Sequence, residues 1–91
     1  MPGMAVAAMP GMATQAELDK LTVAKGRDAE VLFLQLMYRH HLGGIEMAKA
    51  ADKIITKGAV KESVRGMIAT QSEEAGLIAY LLRVRDAAPL P

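Results

Sequence analysis

His40 and His41 are the two histidines of this chain, and they are adjacent. They lie in Phe33-Leu34-Gln35-Leu36-Met37-Tyr38-Arg39-His40-His41-Leu42-Gly43-Gly44-Ile45-Glu46-Met47-Ala48, with a methionine on either side. On an α-helix each residue advances about 100°, so His40 falls about 60° to one side of Met37 and His41 about 40° to the other. Phe33, Gly44, Ala48, Ala51 and Ile55 share that arc, which predicts that both histidines flank the middle of a buried apolar face. Imidazole with thioether suits copper, and imidazole with carboxylate suits zinc, iron or manganese. Gln71 and Glu74 interrupt a second apolar stripe made of Val64, Met67, Ile68, Ala75, Ile78 and Leu82. The candidate metal ligands are therefore His40, His41, Met37, Met47, Gln71 and Glu74, with Glu46 beside them. A second reading needs no metal. In it the histidines are hydrogen-bonded to Gln71 and Glu74 in a buried network, which satisfies every polar group and sets helix register.

Other chemistries find little support. Di-iron carboxylate bundles use Glu-x-x-His on paired helices. Three residues before His40 stands Met37, and three before His41 stands Tyr38, so that motif is absent. There is no Ser-His-Asp order, no P-loop and no glycine-rich phosphate fingerprint. Without cysteine, thiolate metal sites and disulfides are excluded. The residues argue no reaction, and no catalytic residue is assigned.

The elements that must position these side chains are helical. Alanine, leucine, isoleucine, valine and methionine supply the apolar content, while aromatics are limited to Phe33, Tyr38 and Tyr80. Residues 1–13 repeat Met-Pro-Gly-Met in degenerate form and read as a flexible arm, whose thioethers are soft donors for Cu(I). Thr14-Gln15-Ala16-Glu17 is a capping box that opens a short helix, with Gly26 expected to end it and Asp28 to cap the next. A long helix is predicted from about Ala29 to Thr56, ended by Lys57-Gly58, with Gly43 and Gly44 inside it where something must approach the backbone closely. A third helix is predicted from near Val60 to about Val84, and residues 87–91 form an extended tail because their prolines forbid helix.

Two long helices joined by a short turn form an antiparallel hairpin. Folding about residues 59 and 60 sets Gln71 level with Glu46 to Lys49, and Glu74 level with Gly43 to Glu46. Both helices carry apolar arcs wider than one partner can cover. The expected fold is all-α, a short helix plus a hairpin. A homodimer, or a second hairpin in a longer chain, would complete a four-helix bundle. Net charge is +1, and Lys49, Lys53, Lys57, Lys61 and Arg65 read as a solvated face, so no nucleic-acid partner is expected. No run of about 20 apolar residues could span a membrane. Residues 1–12 lack a basic start and make a poor signal peptide; they look more like an internal linker.

Phe33-Leu34-x-x-Met37-x-x-His40-His41-x-x-Gly44-x-x-Met47-Ala48, followed by Ile68-x-x-Gln71-x-x-Glu74, resembles the domain of unknown function 305 family. The Pro10-Gly11-Met12 segment, the short capped helix over the start of residues 14–86 and the closing Pro89-Leu90-Pro91 are similar to it too. The resemblance implies a ferritin-like helical bundle, often built from two such hairpins, in bacterial proteins that are exported or membrane-anchored. It also implies that Met37, His40, His41, Met47, Gln71 and Glu74 belong to the motif; some members are implicated in copper binding through Met and His, which favours copper, while most have no assigned activity. This chain looks like the second hairpin of such a protein. Two positions depart from the pattern: Glu30 stands where the family often has aspartate, and Ile78 where it often has methionine.

Overall fold

The computed structural model describes residues 11–91. Among them are three helices and no strand: α1 (Gln15–Val23), α2 (Gly26–Ile54) and α3 (Ala59–Arg83). The Met-Pro-Gly-Met arm, up to residue 10, lies outside the described residues. No helix among them is long and apolar enough to cross a membrane.

The capping box forms as its residue types demand. The Glu17 backbone N–H donates to Thr14 Oγ1 at 3.1 Å, and the Thr14 N–H donates to Glu17 Oε1 at 2.8 Å. α1 buries no residue of its own, so its docking is polar. Arg39 on α2 clasps the Glu17 carboxylate with both guanidinium nitrogens, at 2.9 and 2.5 Å.

The α1–α2 junction differs from expectation. α1 stops at Val23, and Ala24 and Lys25 run extended. Gly26 then takes φ +58° as the first residue of α2, a left-handed turn that only glycine adopts freely. Asp28 is therefore inside the first turn of α2 rather than at its cap. There its carboxylate still faces the positive end of the helix dipole. The α2–α3 junction shifts in the same sense. α2 ends at Ile54, Ile55 is extended, and Gly58, with φ +97°, caps the start of α3 instead of closing α2.

The hairpin dominates the packing. Its register is marked by Lys61 Nζ against Asp52 Oδ1 at 2.6 Å, Gln71 against Gly44, His41 Nε2 against Glu74 Oε1 at 3.0 Å, and Arg85 against Glu30 at 3.5 Å. The reversal is thus centred on residues 57–58, not 59–60. Gln71 meets Gly44 rather than Glu46 to Lys49, and Glu74 meets His41 rather than Gly43 to Glu46. Each α3 residue lands about one helical turn from its expected level. The buried seam runs through Leu34, His41 and Ala48 on α2 and Val64, Ala75 and Leu82 on α3. The spacing is seven residues on α2, and eleven and then seven on α3, so each set keeps to one stripe, as for helices packed at a shallow angle. Lys61, expected on a solvated face, is largely buried over Asp52, which Arg65 also approaches at 3.4 Å.

Beyond Arg83 the chain reverses on Asp86, at φ +53°. The Ala87 N–H bonds to Leu82 O and the Asp86 N–H to Arg83 O, both at 3.0 Å. This double bond is the Schellman arrangement for closing a helix. The tail then returns to α2, where Gln35 Nε2 donates to Ala88 O at 2.8 Å.

Candidate functional site

α3 lies against the side of α2 that carries His41, and this separates the two histidines. His41 is 7% exposed, whereas His40 is exposed. The expectation that both flank the middle of the buried face is corrected here. The seam follows Leu34, His41 and Ala48, so its axis falls to the His41 side of Met37 and leaves His40 on the rim. Their rings stand edge to face, with centroids 6.3 Å apart.

Both nitrogens of His41 are engaged. Nδ1 lies 2.8 Å from the Met37 carbonyl oxygen, one turn back on the same helix. A carbonyl can only accept, so Nδ1 carries a proton and donates. Nε2 lies 3.0 Å from Glu74 Oε1. That contact needs a proton of its own. It is either an imidazolium donating to a carboxylate or a carboxylic acid donating to a neutral ring. In both states the pair joins α2 to α3 across the seam, with Glu74 half exposed at its outer end.

Gln71 sits one turn nearer the hairpin reversal. Its amide covers Gly44 so closely that a Cβ there would lie 3.6 Å from Oε1. Gln71 Oε1 is buried and has no hydrogen-bond partner among the described residues. Gly43 is backed from the other side by Gly11: a Cβ on Gly11 would lie 3.1 Å from the Gly43 Cα and 2.6 Å from Arg39 O. Gly43 is thus a site of close approach, as its cost in a helix interior predicts, whereas Gly44 is in ordinary contact with Gln71.

The structure therefore brings His40, His41 and Glu74 to one level, with Met37 and Gln71 each about a turn away on opposite sides of it. Met37 is half-buried. Met47 does not join them: it is 52% exposed and lies about 10 Å along the axis from His40, seven residues at 1.5 Å each. Glu46 is exposed as well. Among the described residues no three of His, Cys, Asp and Glu are grouped as a metal site would require.

Two ion pairs were not among the expected site features. Arg39 holds the Glu17 carboxyl well below the usual range, at about 2, with the Thr14 N–H adding to the effect. Lys61, and after it Arg65, lowers Asp52 below the ordinary carboxylate value. The first was foreshadowed by the capping box, which fixes the Glu17 side chain. The second depends on the hairpin register, which no local pattern encodes.

Comparison with known proteins fits this geometry. The family described as "Domain of unknown function (DUF305)" matches residues 1–82. Two chains among solved structures match. One is the crystal structure of "putative secreted protein DUF305 from Streptomyces coelicolor". It is 47% identical with a TM-score of 0.86, over 91% of this chain and 51% of that one. This chain thus spans about half the length of that protein. No curated protein matches. A family match over most of the chain and a close structural neighbour of the same family agree: this chain belongs to the DUF305 family.

Proposed function

We propose that this chain is a helical-bundle protein of ferritin-like type that works outside the cytoplasm and binds a metal ion, copper favoured, on the rim formed by Met37, His40 and Glu74. The observation that carries the reading is the setting of His41. Its Nδ1 is tied to a backbone carbonyl and its Nε2 aims at Glu74, which fixes a half-exposed carboxylate against an imidazole whose ring centroid stands 6.3 Å from that of the exposed His40. A buried histidine anchored this way is the kind of support that orients ligands around a metal. The thioether tilts the donor set toward copper. Gln71, with its buried unpartnered oxygen, is a supplementary donor one turn away. Met47 is assigned to the surface and not to the rim. A location outside the cytoplasm is supported by the secreted description of the 47% identical relative.

A second reading has its own observation. Both nitrogens of His41 already have partners, so the His41–Glu74 pair can serve as a structural lock with no metal. Titration of the purified chain with Cu(I) under reducing conditions, then Cu(II) and Zn(II), separates the two. The rim reading expects saturable, stoichiometric binding that His40→Ala abolishes with the metal-free helicity retained, and a melting temperature that rises with metal by mass action. Absence of binding, with only His41→Ala lowering stability, establishes the lock and overturns the metal site.

A further inference from the structure

One face of the hairpin repeats with a period of seven. On α2 it carries Phe33, His40, Met47 and Ile54; on α3, Val60, Met67, Glu74 and Leu81. Phe33 is 50% exposed, Met47 52%, Met67 57% and Ile54 80%, and what sets them apart is that they share one face. The α2 stripe lies about 100° round from the buried seam and the α3 stripe about 80°, and the two fall on the same side of the hairpin. The register makes them meet level by level. With the reversal centred on residues 57–58, Phe33 lies level with Leu81, His40 with Glu74, Met47 with Met67, and Ile54 with Val60.

A seven-residue repeat of exposed apolar side chains is what a helix presents to a packed neighbour, not to water. The face is about 32 Å long and two helices, about 20 Å, wide, or about 640 Å², the lower end of the area each partner contributes to a stable interface. The Streptomyces coelicolor protein, which this chain matches over 51% of its length, is long enough to hold a second hairpin. A second copy of this chain presents the same repeat at the same spacing, so the face is matched by its own copy.

We infer that two copies pair through this face about a two-fold axis parallel to the helices. In that arrangement α2 of one copy lies against α3 of the other, antiparallel, as within the hairpin. Every level keeps its match. His40 of each copy faces Glu74 of the other, Met47 faces Met67, and Ile54 faces Val60. A two-fold axis across the helices instead sets α2 on α2 and matches at most one level. The pairing needs no metal and stands or falls apart from the metal reading.

The test is done in chelator, so that metal cannot contribute. Sedimentation of the full chain is expected to give twice the 9.7 kDa of one chain, with dissociation on dilution. Met67→Glu, an exposed position, is expected to yield a monomer with undiminished helicity. Leu42→Glu, exposed but outside the stripes, is expected to leave the dimer intact. The chain has no cysteine, so disulfide pairing reads out the geometry cleanly. Chains carrying Met47→Cys mixed with chains carrying Met67→Cys should oxidise to the mixed dimer. A monomer at all concentrations overturns the proposal. So does a dimer that Met67→Glu leaves intact, or oxidation that gives only Met47→Cys or only Met67→Cys homodimers.

Discussion

Replacing His41 by alanine tests the lock directly. The substitution removes the bond from Nδ1 to the Met37 carbonyl, the bond between Nε2 and Glu74, and the volume of a ring that is 7% exposed. A hydrogen bond contributes about 1 kcal/mol net. The Met37 carbonyl still has the helical N–H of residue 41 as a donor, so it is not orphaned. Glu74, with a side chain 54% exposed, recovers hydration, which holds its share near the low end. Truncating a buried ring adds about 1–2 kcal/mol for lost contacts and cavity. The total is about 3 kcal/mol, which for a domain of this size lowers Tm by roughly 12–20 °C. Glu74→Gln keeps a hydrogen-bonding partner and is expected to cost less than about 1 kcal/mol. The assay is urea and thermal unfolding followed by circular dichroism at fixed protein concentration, closed as a His41→Ala/Glu74→Ala cycle. A coupling energy of about 1 kcal/mol is expected. A loss below about 1 kcal/mol for His41→Ala, or no coupling with Glu74, would show that the pair does not hold the helices together.

Other changes report on the junctions. Glu17 has its carboxyl held at about 2, below the ordinary 4.5, by Arg39. Its contribution is therefore complete above pH 4.5 and fades as pH falls toward 2. Arg39→Ala is expected to cost about 1 kcal/mol at neutral pH, as for a bidentate pair near the surface, and to shrink the acid-sensitive limb of stability. An acid limb equal to that of the parent chain would discount the pair. Asp86→Gly relieves a left-handed backbone at φ +53° and is expected to raise stability by about 0.5–1 kcal/mol in thermal melts. Gly44→Ala and Gly11→Ala should part company. A Cβ at Gly44 meets only ordinary contacts at 3.6 Å and gains helix propensity, so no loss is expected. At Gly11 it runs into Arg39 O at 2.6 Å with φ +83°, and a loss of more than about 1 kcal/mol follows. Equal effects at the two glycines would contradict the close approach described for Gly11.

How much of this was legible beforehand depended on the range of the signal. The capping box, the two long helices, the paired glycines and the stripe through Gln71 and Glu74 are local periodicities, and they lead to the right elements. Facing Glu74 with a histidine followed from the same patterns. Which histidine it would be did not. His40 and His41 lie about 100° apart, and the choice between them rests on the rotation of α2 against α3. That rotation depends on the register, and the register depends on how few residues the reversal uses: Gly58 caps α3 directly, which moves every facing pair by about four residues, one helical turn. The same shift decides that Asp52 receives Lys61 and Arg65, so a patch that reads as solvated lysine and arginine becomes a clamp at the hairpin end. The apolar residues left outside the seam follow the same logic. Their heptad repeat shows in the sequence as excess hydrophobicity on both helices. Only the register shows that the two stripes match level for level on one face, with His40 and Glu74 at the centre and methionines beside them. A polar pair in the middle of an otherwise apolar face is costly to bury unless each member finds its complement. Across the two-fold axis inferred above, each histidine finds the carboxylate that its own hairpin has already turned toward the rim.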